Sequence, residues 1–545
     1  MKNNRYLIAL VAALGLIPVV LDTTIVTVAL TPIRKDLGTD VNTVQWIVTG
    51  FFLANAAVVA VGGYLANRFG RKRMFILGLT VFTLGSVLCG LSPSIGWLIA
   101  FRVLQGIGGG LLLPIGPALA FDAFKQEERA RASAAVAVPV LLAPVFGPIL
   151  GGWLNDTFVW HSLFFVNLPV GILAVAAAFF LLPGEKPGET GRVGFDYIGL
   201  ALSTIGIIAI VYAFKLVTQT DPSTVTAANP GGDLYGWGYW LVWLLLGVGA
   251  LLLGIFAIYA LGFSHDPALD LRQLGRRDFL VSNLFTWATA IISFGLLVLL
   301  PLYLEAVRLP NLSALDTGLA LVPFGLGTLL GTVISAVLYR AIGPRWVVML
   351  AAALGTLSAW LLAQTIQPTA TASQLVAAVR TQAAVPSVAS PDDLRWGLLL
   401  VGLSFAMVNV PVQTLALEAL KGEALAKASS LFLSTKLIFS SVGVAIITTI
   451  LLNGTHNQAT TLANQFKALL PGAGLNLRDP HVLLALKAAE AQIPVQASTM
   501  VIQSIFWLIF WASLALIVLA LLLPGRRRQQ TAAPAEAAPT VTVSV

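Results

Sequence analysis

An all-α polytopic membrane protein is the fold class this sequence predicts, and three observations carry that prediction. Hydrophobic residues make up 57% of the 545, charged residues only 10%, and mean hydropathy is +0.88, well beyond a soluble chain with a polar surface. About fourteen segments each offer the roughly 20 apolar residues needed to cross a hydrocarbon core. The charges cluster between those segments, with most of the 32 Lys and Arg on one side. The net charge of +8 is therefore a topology signal and not the footprint of a nucleic-acid partner.

The first span, about 6–30, follows Lys2 and Arg5 as a signal peptide would. It runs on past Asp22 to Leu30 with no small-residue cleavage site, so it reads as an uncleaved helix. Five more spans follow at about 44–66, 74–92, 96–121, 132–154 and 162–182, then two at about 197–217 and 237–262. The last six fall at about 279–304, 317–340, 345–364, 395–418, 429–452 and 499–523. An even number puts both termini on the basic side, which the positive-inside rule makes cytoplasmic, in a multi-pass plasma-membrane protein. Arg68, Arg71, Lys72 and Arg73 crowd one loop of that side.

Six spans counted from each end leave two in the middle. The chain then divides into a first half at about 1–182, a central pair with linkers at about 183–278, a second half at about 279–523 and a tail at about 524–545 whose composition predicts disorder. A faint repeat, Gly63, Arg68, Gly70 and Arg71 against Gly331, Arg340, Gly343 and Arg345, supports two matched halves. The outer loops at about 365–394 and 453–498 are long enough for short amphipathic helices.

Signatures of catalysis are missing from the sequence. It has no HExxH, no P-loop and no GxSxG elbow, and Gly106-Ile107-Gly108-Gly109-Gly110 lies inside a span, where glycines serve close helix approach. Cys89 alone predicts neither a disulfide within the chain nor a metal cluster. An enzyme is not expected, and neither is a cofactor or an ATP-driven pump.

Charges inside the spans are what remain. Asp22 lies about 24 Å from the inner end of its span and Arg102 about 7 Å from the outer end of one running the other way, so the two share a depth. An acid beside an arginine can change protonation as water access changes, which proton coupling requires. The plainer readings are an Asp22 held by Thr23 or Thr24, and an Arg102 that is structural or snorkels. Glu305, at the outer end of the ninth span, and Lys436, about 10 Å above the inner face, are too far apart to pair. Either could set substrate charge preference; the plainer readings are surface solvation and snorkelling. The turn-forming glycines and the arginines between Gly63 and Arg73 suit a latch between the halves. Pro144, Gly147, Pro148, Gly151 and Gly152 interrupt the fifth span; prolines remove backbone donors and glycines admit neighbours, so this stretch reads as a deformable helix.

Leu21-Asp22-Thr23-Thr24-Ile25, Trp46-Ile47-Val48-Thr49-Gly50, Gly63-Tyr64-Leu65-Ala66-Asn67-Arg68-Phe69-Gly70-Arg71-Lys72, Arg102-Val103-Leu104-Gln105-Gly106-Ile107-Gly108 and the Ala143 to Gly152 stretch follow in an order that resembles the major facilitator superfamily. Fourteen spans, with Phe195-Asp196-Tyr197-Ile198-Gly199-Leu200 leading into the seventh, resemble its drug:proton antiporter branch. That resemblance implies two six-helix halves plus two central helices, alternating access, and proton-driven export of amphipathic, often cationic, small molecules. It implies proton transfer at Arg102, Gln105 and Gly106, gating by Gly63, Asn67, Arg68, Gly70 and Arg71, and an export role for Pro144, Gly147, Pro148, Gly151 and Gly152. The partners it implies are protons, a small-molecule substrate and membrane lipid, with no nucleic acid, and action as a monomer. Asn67 stands where the family usually has aspartate, so the latch lacks a charge there. Lys436 stands where an arginine-glutamine pair is common. Export of an endogenous lipid or metabolite, proton-coupled uptake and a non-transporting sensor remain open alternatives.

Overall fold

Long apolar runs punctuated by glycine and proline fold into helices in this computed structural model. It describes residues 5–39, 41–125, 157–184, 196–219, 221–224, 234–264, 269–304, 314–381, 390–418, 422–471 and 479–525, together with residues 128, 131, 132, 135, 136, 140, 143, 146, 147, 149–151, 153, 154, 267 and 420. The first half comprises α1 (Arg5–Asp36), α2 (Val41–Phe69), α3 (Arg71–Gly90), α4 (Ile95–Ala123) and, after one turn at Ser162–Phe165, α5 (Asn167–Leu181). The central pair is α6 (Tyr197–Val217) and α7 (Trp240–Gly262). The second half comprises α8 (Arg277–Leu302), α9 (Val322–Ile342), α10 (Pro344–Thr365), α11 (Ala372–Thr381), α12 (Pro391–Glu418), α13 (Gly422–Leu469) and α14 (Pro480–Leu519). Among the described residues, 13 helices are long and apolar enough to cross a membrane. The span expected between α4 and α5 is described only in part, and Pro144, Pro148, Gly152 and Glu305 lie outside the described residues.

The repeat is sharper in the backbone than in the sequence. Gly70 and Gly343, at φ of 96° and 85°, turn the chain from α2 into α3 and from α9 into α10, a conformation that disfavours any side chain. Two residues beyond each glycine a cation closes the end of a distant helix. Lys72 donates to the carbonyls of Phe179 (2.8 Å) and Leu182 (2.7 Å), and Arg345 donates to that of Leu523 (2.7 Å). The counterpart of Arg345 is therefore Lys72, not the Arg71 that residue matching suggests.

Small residues set the helix spacing in the first half. A Cβ on Gly108 of α4 would lie 2.7 Å from the Phe82 Cα of α3, so the two backbones meet where no larger residue fits. Around this contact Leu16, Phe75, Leu79, Phe82, Leu112 and Ile115 form the apolar core.

At the end carrying Arg68 to Arg73, the halves are joined. The Gly63 N–H donates to Ser430 Oγ (2.8 Å), and Ser429 Oγ donates to the Pro114 carbonyl (3.2 Å). One apolar cluster runs from Ala60, Ala118 and Phe121 through Ile207 and Phe256 to Phe285, Leu431 and Phe432, so α6 and α7 are part of this closure. Asp196 caps α6 through Gly199 N–H (2.9 Å), accepts the Tyr259 hydroxyl of α7 (2.9 Å) and donates its own N–H to Tyr64 of α2 (3.0 Å).

The opposite end departs from expectation. A short amphipathic helix does form, α11, but the loop expected at about 453–498 is largely continuous helix. α13 extends to Leu469 and α14 starts at Pro480, lengths of 48 and 40 residues. Apolar residues outlast the span, and Leu375, Val379, Leu462, Phe466, Val482 and Ile493 bury one another there, which keeps both helices wound.

Candidate functional site

Asp22 lies within α1, four residues after Pro18, and is 1% exposed. Burial makes a carboxylate depend wholly on its partners. Arg102 of α4 donates through Nη1 to Asp22 Oδ2. Gln105 Nε2 donates to Oδ1 (3.0 Å), and so does Asn167 Nδ2 of α5 (3.1 Å). Arg102 also donates to Gln105 Oε1 (2.7 Å) and, through Nε, to the Ile47 carbonyl of α2 (3.0 Å). Its guanidinium lies 4.3 Å from the Phe51 ring centre, a cation–π contact that fixes the plane of the fork. Asn167 further donates to Ser86 Oγ (3.0 Å), whose hydroxyl donates to the Phe164 carbonyl (2.8 Å).

Five helices of one half thus meet at one acid. Arg102 and Gln105 are three apart on α4, so both reach the same face. Of the alternative partners read from the sequence, Thr23 donates to the Val20 carbonyl (2.7 Å) and Thr24 to that of Leu21 (3.0 Å). Arg102 does not snorkel, being 1% exposed. Asn167 and Ser86 were missed. An amide in an otherwise apolar run was the available signal for Asn167, but the turn that places it on α1 was not legible.

The loop residues make contacts both within the first half and to the second. Arg71 pairs with Asp122 at the end of α4, inside its own half, because α3 starts beside the end of α4. Gly70 supplies the turn, Asn67 and Arg68 are half-buried on the last turn of α2, and Gly63 donates its N–H to Ser430 of the second half. In the interrupted stretch Gly147 is buried against α1, where a Cβ would lie 2.7 Å from Thr24 Cβ, two residues from Asp22; Gly151 is also buried. Lys436 is not drawn to the surface: its Nζ donates to Asn409 Oδ1 of α12 (3.1 Å). No group of three or more His, Cys, Asp or Glu able to hold a metal occurs among the described residues.

Two helical halves, a central pair and a buried acid–arginine contact in a multi-pass membrane protein are an arrangement that membrane transporters use. The Major Facilitator Superfamily profile matches residues 12–444, and the chain belongs to that family. It is 30% identical over 459 residues to the Multidrug resistance protein B homolog of Mycobacterium tuberculosis, covering 83% of this chain and 77% of that one. It is 30% identical over 467 residues to the Multidrug export protein EmrB of Haemophilus influenzae, covering 85% and 84%. Its fold is similar to the human organic anion transporter MFSD10 (TETRAN), with a TM-score of 0.54, 16% identity and coverage of 94% and 99%.

Proposed function

We propose that the protein exports amphipathic small molecules across the cytoplasmic membrane by proton antiport, its halves rocking so that the space between them opens to one side at a time. The observation that carries this reading is the Asp22 carboxylate, buried and held by Arg102, Gln105 and Asn167. Motion of α1 against α4 or α5, or entry of water, changes how well a charge on Asp22 is compensated, and with it whether a proton is held. The relatives named for multidrug resistance and export support the outward direction. The basic end supports cytoplasmic termini. Two halves on one chain support a monomer as the working unit, with the proton gradient as the energy source and no cofactor.

Flux in proteoliposomes under an imposed pH gradient tests the proposal, with cationic, neutral and anionic fluorescent amphiphiles as probes. Inward proton flow should drive a probe outward in the wild type and fail to do so in Asp22→Asn. Movement of proton and probe in the same direction would make the protein a symporter, and no movement of any probe would make it a sensor.

A further inference from the structure

The seam of α8 and α13 holds polar groups with no role in the Asp22 network. Lys436 lies beside it on α13, one residue past Thr435, whose hydroxyl donates to Asn283 Oδ1 of α8 (3.1 Å). Among the described residues it joins no ion pair, and its polar partner is the Asn409 side chain, which donates in turn to the Phe405 carbonyl (2.8 Å). A neutral amide orients an ammonium but does not neutralise it, and an uncompensated cation in a membrane interior is costly.

Helix geometry gives the direction in which Lys436 faces. Ser429 and Lys436 are seven residues apart, so they share one face of α13 about 10 Å apart along its axis. Ser429 touches the Pro114 carbonyl of α4. The Lys436 side chain therefore leaves α13 on the face that meets the first half, two turns beyond the contact that closes the basic end, and its ammonium bonds sideways to α12. Three residues further on, Phe439 stacks on Trp287 of α8 with ring centres 4.7 Å apart and planes at 12°. The Trp287 Nε1 of that stack is buried with no hydrogen-bond partner, which marks unused donor capacity. The first half supplies no complementary site for a cation at Asp22, because Arg102 already neutralises that acid.

We propose that Lys436, positioned by Asn409, receives the carboxylate head group of an anionic amphiphile, and that the apolar body of this substrate lies against the Trp287–Phe439 stack. The proposal deepens the export reading and rests on it in taking the space between the halves as the substrate path. It replaces the cationic preference that the family resemblance implies.

The test uses three radiolabelled probes with one 4-butylphenyl body and different heads: 4-butylbenzoate, 4-butylbenzamide and 4-butyl-N,N,N-trimethylanilinium. Binding to the purified full-length protein is measured first, then efflux from proteoliposomes under a pH gradient. The wild type should bind the benzoate at least tenfold more tightly than the amide. Lys436→Gln should abolish that preference, Lys436→Arg should keep most of it, and Lys436→Glu should shift it toward the trimethylanilinium, with each variant checked for a monodisperse elution profile. A benzoate preference unchanged in Lys436→Gln, a wild type that prefers the cation, or no binding of any probe would each overturn the site. Head-group preference without flux would leave the site standing and overturn the export reading instead.

Discussion

Asp22 has two oxygens and three donors, and their geometry determines which substitutions are severe. Removing Arg102 leaves a buried carboxylate held only by two amides, a loss of about 3–5 kcal/mol if the charge stays. We expect Arg102→Ala to lower the thermal unfolding temperature of the purified protein sharply, and the double variant Asp22→Asn/Arg102→Ala to recover part of that loss. Equal stability of wild type and Arg102→Ala would mean that the pair contributes nothing to the fold. Depth along two opposed helices was enough to bring Asp22 and Arg102 together from the sequence, since the rise per residue is constant. Asn167 and Asn409 were not legible in that way. Their positions depend on a turn before α5 and on the rotation of α12 against α13, which hydropathy does not encode.

At the scale of the element, glycine decides where helices touch, and the sequence shows the glycines without showing their neighbours. Gly147 faces Thr24 on α1, whereas a Cβ on Gly254 of α7 would meet nothing within 4 Å. Gly147→Val should therefore stop efflux in membranes where the protein is still inserted, while Gly254→Val should leave efflux unchanged. Normal transport by Gly147→Val would show that this part of the chain is not coupled to α1. The same contrast explains the long α13 and α14. Their membrane portions were legible from hydropathy, but their extension was not, because it rests on the apolar cluster shared with α11 and not on any local signal.

Across the whole molecule, the proposed export cycle links closure at the basic end to the acid in the first half. Gly63–Ser430 and Ser429–Pro114 hold the halves together at one end, and the central pair reinforces them through Tyr64, Asp196 and Tyr259. Two matched halves were legible from the count of spans; the seating of α6 against both α2 and α13 was not, since nothing in an apolar helix names its neighbours. If substrate and proton compete during this cycle, binding of one must release the other. The direct measurement is proton release into weakly buffered detergent solution when the tightest-binding 4-butylphenyl probe is added to the purified protein. The wild type should release protons in proportion to bound probe, and Asp22→Asn should bind the probe without releasing any. Equal release from both would contradict proton coupling at Asp22.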